Sequence, residues 1–158
     1  MKINAFKKEK KVLNFFKSLI VSIILGMLIT LGVSLLCGYK YKIVVTGSMY
    51  PTLVPPTLVI IAPVKYDDLK VGDIVNWSGS SGNLTYTHRI VEFNEDGLAI
   101  TKGDANPSKD GPLRRERYNG KVIANLDFAG KCINYLKANI FFVGLILIYL
   151  FLMYIILM

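Results

Sequence analysis

The chain holds 158 residues and a single histidine, so imidazole chemistry has only one place to occur, His88. It stands in Leu84-Thr85-Tyr86-Thr87-His88-Arg89-Ile90-Val91. At the two-residue period of a strand it shares a face with Tyr86 and Ile90, while Thr87, Arg89 and Val91 point the other way. Taken alone, this histidine fits a half-buried structural ring as readily as a general base. Ser48 follows a β-type run in Val45-Thr46-Gly47-Ser48-Met49-Tyr50-Pro51-Thr52-Leu53. Gly47 permits close backbone approach and Pro51 stiffens the exit. A nucleophilic serine needs such a turn, so that its hydroxyl projects and neighbouring N–H groups can face a developing oxyanion. An ordinary strand-to-turn serine has the same local sequence. Asp104 and Asp110 lie in a turn-rich loop running from Thr101 to Asp110. They suit Asx turns, or the carboxylate that holds a histidine in the tautomer required for proton abstraction. Serine, histidine and aspartate in that order could form a Ser-His-Asp hydrolase site, an arrangement tied to no one fold.

Positioning these groups falls to residues 38–139, which read as mostly β. Runs rich in branched and aromatic residues recur at 41–46, 57–61, 73–77, 84–93, 97–101 and 121–126. Turn-forming stretches separate them at Pro55-Pro56, Asp67-Asp68, Ser78 to Asn83, Asn94 to Gly97 and Asn106 to Pro112. Asn94-Glu95-Asp96-Gly97 fits a short hairpin loop. No 12-residue stretch in this segment shows a helical period. The expected architecture is an antiparallel β-sheet or barrel-like domain tethered at both ends.

The tethers come from the composition. Apolar residues make up 53% of the chain, but 14 fall among the 20 positions 18–37 and 18 among the 19 positions 140–158. The remainder has an ordinary soluble composition, so a plain soluble globule is excluded. Twenty helical residues cover about 30 Å, one hydrocarbon core. Lys2, Lys7, Lys8, Lys10, Lys11 and Lys17 against Glu9 supply +5 of the net +8 before the first apolar run. A basic arm against an apolar span reads as a cytoplasmic flank on anionic lipid. A basic nucleic-acid surface would instead spread its charge over a folded face, so no nucleic-acid partner is expected. The division is therefore 1–17 as a basic cytoplasmic arm, 18–37 as a transmembrane helix, 38–139 outside, and 140–158 as a second transmembrane helix. The first run is too long for a cleaved signal sequence and lacks a clear cleavage site. Ser48 lies 11 residues beyond Cys37, a reach of at most about 3.3–3.6 Å per residue, which keeps it near the membrane surface. Cys37 and Cys132, 95 residues apart, make neither a zinc site nor a disulfide framework, and neither a metal nor a cofactor is expected.

Four blocks together resemble type I signal peptidases over nearly the whole chain. Gly47-Ser48-Met49-Tyr50-Pro51-Thr52-Leu53 is similar to the family's serine motif, and Val71-Gly72-Asp73-Ile74-Val75 to its Gly-Asp-Ile/Val-Val strand. Thr87-His88-Arg89-Ile90 matches the block of the general base, and Gly103-Asp104-Ala105-Asn106 with Asp110 resembles the final aspartate motif. Histidine rather than lysine at position 88 is typical of the endoplasmic-reticulum-type branch, found in eukaryotes, archaea and some spore-forming Gram-positive bacteria. The resemblance implies a membrane-anchored serine endopeptidase that cleaves signal peptides from translocated preproteins, with the catalytic domain on the extracytoplasmic face of a plasma or endoplasmic-reticulum membrane. It implies Ser48 as nucleophile, His88 as general base and Asp110 as the orienting carboxylate, with Asp104 sharing that role or bracing the loop. The implied partners are signal peptides of secretory preproteins, the lipid bilayer and the protein translocation machinery. Small residues before the cut would enter shallow apolar pockets, for which Ile43, Val45, Met49 and Ile60 are the candidates. An extended substrate could add beside an enzyme strand.

Other features have plainer meanings. Arg114, Arg115 and Arg117 form a basic cluster suited to solvent or to lipid headgroups. Asn76-Trp77-Ser78 and Asn83-Leu84-Thr85 match N-glycosylation acceptors. Ser78, Ser80 and Ser81 sit in a Gly/Ser loop. The rival reading from another class is a non-catalytic, membrane-tethered β domain acting in assembly.

Overall fold

The computed structural model of the chain describes residues 2–80 and 84–157. These fall into two compact units, residues 1–39 and 40–158.

The first unit is one helix, α1 (Lys2–Leu36). Its sequence contains no proline, and it closes where the N–H groups of Gly38 and Tyr39 bond back to the Leu35 and Ser34 carbonyls at 3.0 and 3.1 Å. The helix thus starts well before residue 18. Within it Lys10–Leu36, 27 residues or about 40 Å of helix, is long and apolar enough to cross a bilayer, and none of it is buried.

The second unit is built on a single antiparallel sheet of seven strands: β1 (Lys40–Val44), β2 (Thr57–Ala62), β3 (Ile74–Ser78), β4 (Thr85–Phe93), β5 (Ala99–Lys102), β6 (Pro112–Leu113) and β7 (Tyr118–Leu126). Their spatial order is β1-β2-β7-β3-β4-β5-β6. The period-two pattern is sharp in β2, where Thr57, Val59 and Ile61 are each 0% exposed. The expected hairpin joins β4 to β5. The Leu98 N–H meets the Asn94 side-chain oxygen at 2.7 Å, and the Gly97 N–H meets the Asn94 carbonyl at 3.0 Å.

Two apolar clusters fill the unit. One gathers Tyr66, Leu69, Val75, Ile90, Ala99 and Leu113. The other gathers Val44, Met49, Leu53, Val59 and Ile61, and it pins the segment around Ser48 to β1 and β2. Met49 and Leu53 are 0% and 1% exposed, each burial being worth about 1.5–3 kcal/mol.

Two sequence expectations need correction. Residues 127–138, assigned no helix, form α2 (Asp127–Ala138). Their apolar positions follow a helical period on two sides: Ala129, Gly130 and Ile133 turn toward the sheet, while Phe128, Cys132, Tyr135 and Leu136 are exposed. A Cβ on Gly130 would stand 2.5 Å from the backbone of Thr57 and Leu58, and only a glycine permits that approach. Asn76 is no glycosylation acceptor in this fold. It is 1% exposed, and its amide donates to the Tyr86 carbonyl and the Thr87 hydroxyl at 2.9 Å each. The second acceptor pattern begins at Asn83, and Asn83 and Ser81 lie outside the described residues.

After Asn139 the chain enters α3 (Ile140–Leu157), apolar at every position but Gly144. The bend between α2 and α3 is 79°, and the C-terminal region counts as a second membrane-length element only if the bent pair is taken as one span.

Candidate active site

Ser48 sits in a one-turn 3-10 segment, Gly47–Met49, directly after β1. The turn closes through the Tyr50 N–H on the Gly47 carbonyl at 3.0 Å, and the Leu53 N–H bonds the Met49 carbonyl at 2.9 Å. A single turn of this kind leaves the Ser48 N–H without a partner inside it. Val44 before the serine and Met49 and Leu53 after it are buried in one cluster, so the serine is held between buried anchors.

His88 lies on β4 opposite Val75 of β3 and is 6% exposed. The ring edge-packs on Trp77, centroids 5.4 Å apart, and Trp77 in turn stacks on Tyr86 at 5.7 Å. His88 Nε2 is 3.0 Å from Ser48 Oγ, and Nδ1 is 2.7 Å from Asp110 Oδ2. A carboxylate can only accept, so Nδ1 carries the proton and donates to Asp110, leaving Nε2 to accept from the Ser48 hydroxyl. The three side chains thus form one continuous line of hydrogen bonds.

Asp110 has a second anchor that the sequence reading did not single out. Thr101, fully buried on β5, donates its hydroxyl to Asp110 Oδ2 at 2.8 Å, and the Asp110 N–H donates to the Thr101 carbonyl at 2.7 Å. A hydroxyl at a core-facing position of a strand was the available signal, since burying one without a partner costs about 1–3 kcal/mol.

Asp104 plays a different part. Its carboxylate takes Arg89 in a two-point clasp, Nε at 2.9 Å and Nη2 at 2.7 Å, and accepts the Thr52 hydroxyl at 2.5 Å. Arg89 also reaches the Gly72 carbonyl at 3.0 Å. The pair ties the segment after Ser48, the loop after β5 and strand β4 into one block. The Arg89 hydrogen bonds hold the Asp104 carboxyl below the usual carboxylate range, with the Thr52 hydroxyl adding to the effect. The Asp104 hydrogen bonds raise Arg89 in return. The two aspartates left open by the sequence are therefore separated: Asp110 sits on the histidine and Asp104 on the arginine.

The serine turn and the aspartate loop touch. The Ala105 N–H donates to the Ser48 carbonyl at 2.9 Å. Gly103 passes so close that a Cβ there would stand 2.6 Å from that same carbonyl oxygen.

A cleft of about 450 Å³ opens at the serine, with Ile43, Val45 and Ser48 on one side and Leu84, Tyr86 and His88 on the other. Two of the four expected pocket residues, Ile43 and Val45, line it. The other two are absent from its lining: Met49 is in the core and Ile60 lies on β2 opposite Tyr41. Of the basic cluster, Arg115 pairs with Asp67 at 2.5 Å and covers the Tyr66 ring at 4.7 Å, while Arg117 meets the Ser80 hydroxyl at 3.3 Å.

An activatable hydroxyl, an imidazole that can take its proton and a carboxylate that fixes the tautomer are the working parts of a serine hydrolase, here set on an antiparallel β domain. The chain is similar to signal peptidase I W of Bacillus subtilis, 34% identical over 77 residues, which is 46% of this chain and 40% of that protein. It is also similar to the signal peptidase complex catalytic subunit SEC11C of Homo sapiens and of Mus musculus, 31% identical over 124 residues, 75% of this chain and 62% of each relative. By sequence the chain is thus similar to signal peptidases over up to 75% of its length. The matched stretch covers less than two thirds of the length of each of these proteins. No protein family model matches the chain.

Proposed function

We propose that the chain is a membrane-anchored serine endopeptidase that removes signal peptides from translocated preproteins. The observation that carries this reading is the line Ser48–His88–Asp110, at 3.0 and 2.7 Å, at the mouth of an apolar cleft. In the proposed cycle Ser48 Oγ attacks the peptide carbonyl while His88 Nε2 takes the hydroxyl proton. His88 then gives that proton to the leaving amine, and water regenerates the serine from the acyl-enzyme. The Ser48 N–H, which the bonds closing its turn do not use, is the first oxyanion donor in this reading. Thr46 lines the same cleft and makes no side-chain capping bond to the turn it precedes, which suits its hydroxyl to be the second donor.

The substrate enters as a strand. β5 pairs with β4 only from Arg89 onward, so the stretch Thr85–His88 has β3 on one side and the cleft on the other. β1 is one of the two edge strands of the sheet, and its end also lines the cleft. An extended peptide could bond to either edge, with small side chains directed at Ile43 and Val45.

The anchors in this reading are α1 from Lys10 to Leu36 and the C-terminal helix α3. In this reading the lysine-rich start lies in the cytoplasm and the sheet outside, as the positive-inside tendency favours. The test is a membrane preparation given two preproteins, one with alanine at the first and third positions before the cut and one with leucine at both. Cleavage of the first alone, at that bond by N-terminal sequencing of the product, is the expected result. Equal cleavage of both would remove the substrate assignment.

A further inference from the structure

Helix α2 has two dissimilar sides. One lies on β2, where Gly130 is buried against Thr57 and Leu58 and the Thr57 hydroxyl donates to Asp127 at 2.6 Å. The other carries Phe128, Cys132, Tyr135 and Leu136, spaced one and two turns apart so that they share a stripe. Phe128 is 81% exposed, Tyr135 68% and Leu136 48%, and Cys132 is an exposed free thiol. Two aromatic rings and a leucine on one helix side, with nothing among the described residues covering them, mark a surface that meets something apolar. α2 meets the apolar α3 at a bend of 79°. If α3 stands along the bilayer normal, α2 lies about 11° from the bilayer plane. Lys131 and Lys137 give the helix two cations, while its one acid, Asp127, is held by Thr57 and Asn125.

We propose that α2 is an interfacial helix resting on an anionic lipid bilayer, with Phe128, Tyr135 and Leu136 at the headgroup–acyl boundary and Lys131, at the edge of that stripe, among the phosphates. It joins the sheet to the span and fixes the height of the catalytic domain above the lipid. The inference rests on α3 being the second membrane span, as proposed above.

The test uses the full chain in phosphatidylcholine–phosphatidylglycerol vesicles with one environment-sensitive fluorophore at a time. Cys37→Ser leaves Cys132 as the only thiol. A Cys37→Ser/Cys132→Ser background then receives Ile148→Cys in α3, or Asp96→Cys at the β4–β5 turn. The expected pattern is strongest quenching of the Cys132 probe by a shallow lipid-borne nitroxide, of the α3 probe by a deep one, and of the turn probe by aqueous iodide. Iodide quenching at Cys132 with deep quenching at residue 148 would overturn the interfacial helix and leave the span intact. Iodide quenching at residue 148 would overturn the span itself. Shielding of the Cys132 probe from both lipid nitroxides and iodide, with energy transfer between labelled copies, would show a second chain on this side and also overturn the proposal. Phe128→Glu/Tyr135→Glu supplies a functional readout: KM for a vesicle-embedded preprotein is expected to rise several-fold, while cleavage of a short soluble peptide is unchanged. An equal loss on both substrates would contradict a role at the lipid surface.

Discussion

Thr101 and Asp110 grip each other at two points: the threonine hydroxyl donates to the carboxylate at 2.8 Å, and the aspartate N–H donates to the threonine carbonyl at 2.7 Å. The oxygen that accepts this hydroxyl also faces His88 Nδ1. Thr101→Val keeps the shape and removes the donor. A hydrogen bond to a charged group is worth about 1.5–3 kcal/mol, so kcat should fall roughly tenfold or more with KM nearly unchanged. Thr101→Ser should restore most of the rate. A general structural role would instead lower the amount of folded protein and leave the kcat of the remainder intact.

Asp104 should matter to stability through its ion pair rather than through proton transfer. Its folded carboxyl is held below the ordinary value, chiefly by Arg89, so the stabilisation is present above the unfolded value of about 3.9 and is lost as pH falls through the lower folded value. Asp104→Asn is expected to reduce resistance to thermal inactivation near neutral pH by about 1 kcal/mol, with the gap to wild type closing below pH 4. A deficit that persists unchanged into acid would contradict the pair as its source.

Gly103 is needed for space. Alanine there would set a methyl group 2.6 Å from the Ser48 carbonyl oxygen, closer than atoms tolerate, so the aspartate loop must back away from the serine turn. Gly103→Ala should lose most activity while the chain still inserts and folds, as judged by limited proteolysis. Full activity would show that this contact does not set the Ser48 geometry.

Proton abstraction by His88 Nε2 requires the Nδ1–H tautomer, which the contact with Asp110 holds. Asp110→Asn keeps the size but no longer favours the Nδ1–H tautomer, and a loss on the order of 10^4 in kcat is expected. Measuring kcat and KM for both proteins at one neutral pH checks this. A kcat for Asp110→Asn close to wild type would contradict the tautomer role of Asp110.

Much of the sheet was legible because its strands obey period two: the alternation through Thr57, Val59 and Ile61 and the hairpin at Asn94–Gly97 are local signals. The order of Ser48, His88 and the aspartates was legible too. Which aspartate serves His88 was not. Asp104 and Asp110 share one loop, and their assignment depends on how that loop folds back, through the Asn106 N–H on the Gly103 carbonyl and the Asp110 N–H on Thr101. Met49 reads as a pocket residue beside a reactive serine, yet the 3-10 turn sends it inward, away from the cleft. α2 was not legible because apolar residues lie both toward the sheet, at Ala129 and Ile133, and away from it, at Phe128, Tyr135 and Leu136, which blurs a single apolar face.

The central claim is that Ser48 makes the covalent bond. Wild type and Ser48→Ala, matched for amount in membranes, should be given the same preprotein and the mature product followed over time. The account expects the serine variant to lose roughly 10^4–10^6 of the rate, leaving the precursor uncut. Processing by Ser48→Ala at a rate close to wild type would contradict it.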